Sequence, residues 1–151
     1  MKKVADSLTH HSELLMYNQL NGQNCLFGGE LMRMIDMIAG VTARRHCGCQ
    51  VVTACVDRMN FQAPAHLNDL IDLEARVTWV GHTSLEVRVD AFVESMEGSR
   101  QPINTAYLVM VAVNPETGKP QPVPPIEFVT EEEQQEARAA EERRAQRLKW
   151  R

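Results

Sequence analysis

The chain has 151 residues, 44% of them hydrophobic and 24% charged, enough apolar material for one ordinary core and too much for a disordered chain. Its formal net charge of −4 argues against a nucleic-acid binder held by counterion release. Four cysteines (Cys25, Cys47, Cys49 and Cys55) are too few for a disulfide framework, and no Cys-x-x-Cys or His-x-x-x-His spacing offers a metal site.

Free thiols suit a reducing cytoplasm. Met1 to Glu13 is polar, without the apolar core of a signal peptide. No stretch approaches the roughly 18 to 20 apolar residues of a membrane span. A cytoplasmic protein with neither membrane nor nucleic-acid partner is expected.

A short strand is expected around Leu14 to Met16. The segment Asn21 to Gly29 reads as a polar, glycine-bearing loop running into a helix. Glycine there lets backbone approach a ligand, and the first helical N–H groups suit an oxyanion; the plainer reading is a turn shaped by glycine. From Gly29 to His46, Leu31, Met34, Ile35, Ile38, Val41 and Thr42 recur at helical spacing. Met32, Met37, Ala39 and Ala43 make much of the other side apolar too, which predicts a helix enclosed by other elements.

Asp36 stands in the middle of that helix. A carboxylate buried there costs several kcal/mol if unpaired. It reads either as a structural Asp satisfied by backbone or a partner chain, or as the base or nucleophile of a hydrolase.

After His46 the period changes to two. Gln50 to Phe61 is rich in Val, Thr and Cys. Ile71, Leu73, Ala75, Val77 and Trp79 alternate with Asp72, Glu74, Arg76 and Thr78, and Leu85, Val87, Val89, Ala91 and Val93 alternate with Glu86, Arg88, Asp90, Phe92 and Glu94. Two strands follow, each with one buried and one wet face. Gly81-His82-Thr83-Ser84 between them is a hairpin loop. Ile103 to Val113 is apolar on both faces, as a central strand is, and Asn114 to Gly118 ends it with turn chemistry.

Pro120, Pro122, Pro124 and Pro125 mark the end of the packed domain. Thr130 to Arg151 carries many Glu and Arg and few apolar residues, so it reads as a solvated, partly frayed helical tail, dispensable for catalysis. The competing reading is a partner-binding helix. Among the histidines, His10, His11 and His66 read as surface, His46 as a helix-end residue favoured by the dipole, and His82 as a loop residue within reach of a phosphate.

Phe27-Gly28-Gly29 followed by Leu31-Met32 and Ile35-Asp36, with Asn21 upstream, resembles the signature of acyl-CoA hydrolases with the hotdog fold. Val51-Val52-Thr53, Met59-Asn60-Phe61 and Gly81-His82-Thr83-Ser84-Leu85 continue the likeness over roughly residues 14 to 125. The resemblance implies an α+β hotdog fold, an antiparallel sheet wrapped around one long central helix, with the thioesterase domain at 8–126; the charged C-terminal helical tail at 127–151 lies outside the likeness. It also implies hydrolysis of acyl-CoA to free acid and CoA. No cofactor is needed, because CoA belongs to the substrate.

On this resemblance Asp36 is base or nucleophile and acts with Asn21 across a dimer interface. The Gly28 or Gly29 N–H meets the oxyanion, and Thr53 is a supporting donor. Gly81, His82, Thr83 and Ser84 face CoA, and Arg58, Arg44 and Arg45 are candidates for its phosphates. The chain departs from the family pattern at Asn24, where Gly is usual, at Cys25, where Asp or Thr is usual, and at Gln19-Leu20, where Pro and Asp-Thr are common.

One half-covered sheet with free edges implies a homo-oligomer, the dimer as minimal unit and a trimer of dimers as the expected hexamer. Two other functions compete. A hydratase on this fold needs a site histidine, and none lies between Asn21 and Asp36. A non-catalytic acyl-CoA-binding hotdog protein would not need both Asn21 and Asp36, so their presence favours catalysis.

Overall fold

The computed structural model describes residues 1–150. In chain order it runs β1 (Lys2–Lys3), α1 (Val4–Ser7), β2 (Thr9–Leu14), a 3-10 turn (Tyr17–Gln19), α2 (Gly28–Cys47), β3 (Gln50–Phe61), β4 (Leu70–Val80), β5 (Ser84–Glu94), β6 (Arg100–Val113), β7 (Ile126–Glu127) and α3 (Glu131–Leu148). Five strands form one antiparallel sheet in the order β2-β4-β5-β6-β3, and β1 pairs with β7 in a small parallel ribbon. This is the α+β hotdog architecture: the sheet curls around α2.

The first strand lies earlier than Leu14 to Met16. Its polar run His10 to Glu13 hid it, because β2 is an edge strand whose side chains are largely exposed while its backbone pairs with β4 from Thr9↔Ala75 to Leu14↔Leu70. His10, His11, His66 and His82 are exposed.

The core is one layer of side chains between sheet and helix. Leu73, Ala75, Val87, Val89, Ala106 and Leu108 on the inner face meet Leu31, Met34, Ile35, Ile38, Ala39 and Ala43 of α2, all nearly or wholly buried. Each large apolar side chain so enclosed contributes about 1.5–3 kcal/mol. Gly48 ends α2 in the left-handed region at φ 67°, and its N–H donates to Arg44 O at 2.8 Å. Among the described residues, no helix is long and apolar enough to cross a membrane.

Within one chain α2 is enclosed on one side only. Met32, Met37 and Val41 are 45%, 57% and 38% exposed, and Asp36 lies among them on the open face. The all-round apolar character of the helix therefore exceeds what its own sheet covers, and leaves an apolar face open. Edge strand β3 carries exposed Val56 beside this face and Phe61 against the start of α2.

His46 is not a dipole-favoured surface residue. It is fully buried, its Nε2 hydrogen-bonds Pro124 O at 2.8 Å, and its Nδ1 has no partner. Burial pushes its imidazole below the ordinary value, outweighing the bond to Pro124.

The tail is a docked helix. The polar face of β4 and β5, expected to be wet, lies beneath α3. Glu86 is fully buried and accepts from Arg143 Nε at 3.1 Å and Nη2 at 2.7 Å. Arg88 donates to Glu136 at 2.9 Å, and Arg147 to Asp57 at 2.9 Å. A bulge between Val77 and Trp79 breaks the strict alternation and places Trp79 opposite Glu86, where its indole N–H donates to Glu141. Counting apolar residues missed this docking because its contacts are ion pairs, an indole hydrogen bond and arginines over aromatic rings, with Ala140 as the one buried apolar residue of the helix.

Candidate active site

Asp36 is positioned by the regular frame of α2, and its Oδ1 accepts a hydrogen bond from Thr53 Oγ1 of β3 at 2.6 Å. The same hydroxyl lies 3.5 Å from Met110 Sδ, across the ladder in β6. Charge-assisted O–H···O⁻ bonds of this length are among the stronger polar contacts available to a side chain.

Between α2 and β3 this pair opens into a groove of about 350 Å³, lined on one side by Met32, Arg33 and Ile35 and on the other by Val56, Met59 and Leu108. It is a largely apolar trough with one carboxylate, one hydroxyl and the Arg33 guanidinium. An acyl chain fits such a lining, and the carboxylate marks where polar chemistry meets it. Arg33, which sequence reasoning passed over, and Met32, read there only as part of the apolar helix and of the Leu31-Met32 motif, line it. Their signal was their place three and four residues before Asp36 on the same helical face. Arg33 is held by Glu30 at 2.7 Å, and Glu30 accepts from Gln19 Nε2 at 3.2 Å.

The loop before α2 is built around Asn21. Its side-chain oxygen accepts from Gln23 N at 2.9 Å and Cys25 N at 3.2 Å, and its own N–H donates to Cys25 O at 2.8 Å. Asn24 sits at φ 60°, a left-handed conformation that Asn tolerates better than most side chains, so it occupies a glycine position without undoing the turn. Leu26 N donates to Ala65 O at 2.8 Å, which ties the loop to the segment before β4. Asn21 is thus held in its own loop, and among the described residues no hydrogen bond joins it to Asp36.

At the start of α2 no acceptor among the described residues meets the Gly28 and Gly29 N–H groups. The Phe27 ring lies over Gly29, where a Cβ would come within 2.6 Å of it. Eight residues of helix, about 12 Å, separate Gly28 from Asp36. The N–H groups of one helix start therefore do not reach an oxyanion formed beside the Asp36 of the same chain.

The remaining predicted contacts are spread elsewhere. The hairpin Gly81 to Ser84 is closed by Gly81 N donating to Ser84 O at 2.8 Å and is tied back through Thr83 O to Ala112 N and through His82 O to Val123 N. Arg58 pairs opposite Tyr107, whose ring lies under Arg143 of α3, so it belongs to the outer face. Arg44 and Arg45 are exposed near the C-terminus of α2, and Arg45 donates to Thr9 Oγ1 at 3.1 Å. The chain brings Asp36 and Thr53 together; it leaves Asn21, the two glycines, the hairpin and Arg58 outside that pair. The four cysteines are free thiols.

Comparison with known proteins gives a consistent picture. A family model described as the thioesterase superfamily matches residues 23–99. The uncharacterized acyl-CoA thioester hydrolase YkhA of Bacillus subtilis is 46% identical over 114 residues, 75% of this chain and 66% of that protein. Among solved structures, an acyl-CoA hydrolase of Staphylococcus aureus in complex with butyryl coenzyme A, coenzyme A and coenzyme A disulfide superposes with a TM-score of 0.92 at 32% identity, covering 98% of this chain and 90% of that one. An apo-hexameric acyl-CoA thioesterase superposes at 0.93 with 36% identity, covering 99% and 97%. The S. aureus enzyme was also solved with single alanine replacements of an Asn, an Asp and a Thr, spaced along its chain at the intervals that separate Asn21, Asp36 and Thr53 here.

Proposed function

Because the chain belongs to the thioesterase superfamily, we propose that it hydrolyses the thioester of an acyl-CoA, with Asp36 activating water or attacking the carbonyl itself. The observation that carries this reading is the Thr53–Asp36 hydrogen bond at the mouth of an apolar groove. The shared Asn, Asp and Thr spacing in the S. aureus hydrolase supports it.

In the water route, Asp36 takes a proton from a water in the groove and the hydroxide adds to the thioester carbonyl. Collapse of the tetrahedral species expels CoA thiolate, which regains the proton held on Asp36. In the covalent route, the Asp36 carboxylate displaces CoA thiolate to give a mixed anhydride, and water then opens the anhydride. Both end in free acid and CoA thiol. Thr53 holds the carboxylate at one oxygen and leaves the other to the reaction.

The site takes its remaining groups from a second copy. Gly28 and Gly29 of that copy supply the N–H donors for the oxyanion, and its Asn21 holds the water or the carbonyl. The open face of α2, with Met32, Met37 and Val41, and the exposed edge of β3 suit such an isologous dimer. A hexamer of three dimers is the proposed full assembly; a similar solved structure is of a hexameric acyl-CoA thioesterase. The hairpin Gly81 to Ser84 and Arg58, outside the groove of their own chain, meet the pantetheine and phosphates of CoA in the assembly. The compartment proposed is the cytoplasm, in keeping with four free thiols.

The test is release of free thiol from butyryl-, palmitoyl- and acetoacetyl-CoA, repeated with Asp36→Asn. Turnover that falls by about 10² or more supports the assignment. Near-native kcat in the variant overturns Asp36. Tight binding without thiol release would make the protein a non-catalytic acyl-CoA binder.

A further inference from the structure

Along β3 the groove-facing residues fall three apart, not two. Thr53, Val56 and Met59 pair with Met110, Leu108 and Ala106, which are spaced two apart on β6. The surplus residues are Ala54 and Asp57, one in each of two bulges. Without the bulges the pleat would turn Val56 outward relative to Thr53. The lining of the groove depends on two irregular rungs in an edge strand that its own chain supports from one side only.

The second bulge is gripped from outside. Asp57 Oδ2 accepts from Arg147 Nη1 of α3 at 2.9 Å, and the same Nη1 lies 3.5 Å from Glu86 Oε2 on β5. One guanidinium thus spans β5 and β3 over the intervening β6. Its anchor is rigid, because Glu86 is also held by the Arg143 fork and by Thr78 Oγ1 at 2.6 Å. Arg143 in turn lies 3.7 Å over the Tyr107 ring. Arg147 and Asp57 are only 16% and 20% exposed, so water and salt screen the pair less than a surface pair.

We infer that α3 is a positioning element of the site, with Arg147 pinning the Asp57 bulge so that Thr53 and Val56 keep facing Asp36. Helix, bulge and groove then form one mechanical unit. The polar tail, read from its sequence as dispensable, becomes necessary for full turnover. The kinetic consequence rests on the thioesterase reading; the mechanical one does not.

The experiment uses the full chain with Arg147→Met, Asp57→Asn, the double variant and Arg147→Lys. Glu86 keeps Arg143 and Thr78 in all four, so the fold is retained. Amide hydrogen exchange over residues 50–61 is expected to speed up about tenfold in each single variant, with α2 unchanged. With acyl-CoA, kcat is expected to fall about tenfold and KM to move less, since a displaced carboxylate partner acts on the chemical step. The double variant should be no worse than the poorer single, and Arg147→Lys should recover part of both effects. Unchanged exchange across 50–61, or losses that simply add in the double variant, overturns the clamp. Absence of thiol release by the unaltered protein would sink the thioesterase reading and leave the exchange measurement to decide the clamp.

Discussion

Thr53 fixes Asp36 from a different element of the fold: the hydroxyl of an edge strand reaches across to a helical carboxylate at 2.6 Å. The helix sets where the carboxylate begins and the strand sets which way it turns. Any change in how β3 lies on α2 is therefore a change at the carboxylate proposed to react.

Thr53→Val keeps the shape and removes the donor. It is expected to lower kcat by about 10- to 100-fold while leaving the melting temperature close to that of the parent, because loss of one positioning bond misaligns the carboxylate without emptying the core. Thr53→Ser should recover most of the rate. Steady-state thiol release beside a thermal melt is the measurement. A fully active Thr53→Val protein would show that Asp36 needs no such partner.

If Asn21 and Asp36 act across subunits, co-expressing Asn21→Ala with Asp36→Ala chains should recover partial activity, since mixed dimers then hold one intact site. Each variant alone should be inactive. Isolated mixed oligomers with no activity would place the whole site within one chain, against the 12 Å gap between the start of α2 and Asp36.

His46 makes stability fall on acidification. In the folded chain its imidazole titrates below its ordinary value, held neutral chiefly by burial, while the Lys2 ammonium, which donates to His46 O at 2.7 Å, also opposes a second positive charge. In the unfolded chain it takes up a proton near pH 6.5. Below that pH the unfolded state binds the proton first, so stability present above about pH 6.5 declines as pH falls towards the folded value. His46→Gln can keep a donor for Pro124 O without titrating. The difference in melting temperature between pH 7.5 and pH 5.5 should shrink in this variant, and an unchanged difference would clear His46.

Arg143→Met should be the most costly single change in α3. It leaves the fully buried Glu86 carboxylate with Thr78 and the more distant Arg147 only. Removing one partner of a buried pair costs about 3–5 kcal/mol. Urea unfolding should show that loss, whereas Arg138→Met, on the exposed side of the helix, should stay within about 0.5 kcal/mol of the parent.

The parts of the molecule legible in the sequence were those written in apolar periodicity. Leu31, Met34, Ile35 and Ile38 announced α2, and the alternation through β4 and β5 announced two strands of a curled sheet. The bulges at Ala54 and Asp57 gave no such sign, since neither carries the glycine that often marks one. Trp79 read as a core residue because alternation was extended past an irregular rung. The docking of α3 stayed hidden because Glu86, Arg143 and Arg147 look, residue by residue, like solvated charges; only the fold brings a carboxylate of one strand beneath arginines that follow more than fifty residues later. The exposure of Asp36 in the single chain was equally invisible, because an apolar helix does not say which of its faces is covered by its own sheet and which is left open.

The ribbon of β1 on β7 joins the start of the chain to the segment just before α3. Lys2 pairs with Ile126 and Lys3 with Glu127, while the Lys2 side chain caps α2 through the carbonyls of Arg45 and His46. Contacts so far apart along the chain form only after the largest loop in the molecule has closed, and two residues on each side offer few hydrogen bonds in return. Closing that loop costs entropy for little return, which predicts that the ribbon amides exchange early. A fusion placed ahead of Met1 would tug on the same few bonds that hold the far end of α2 shut.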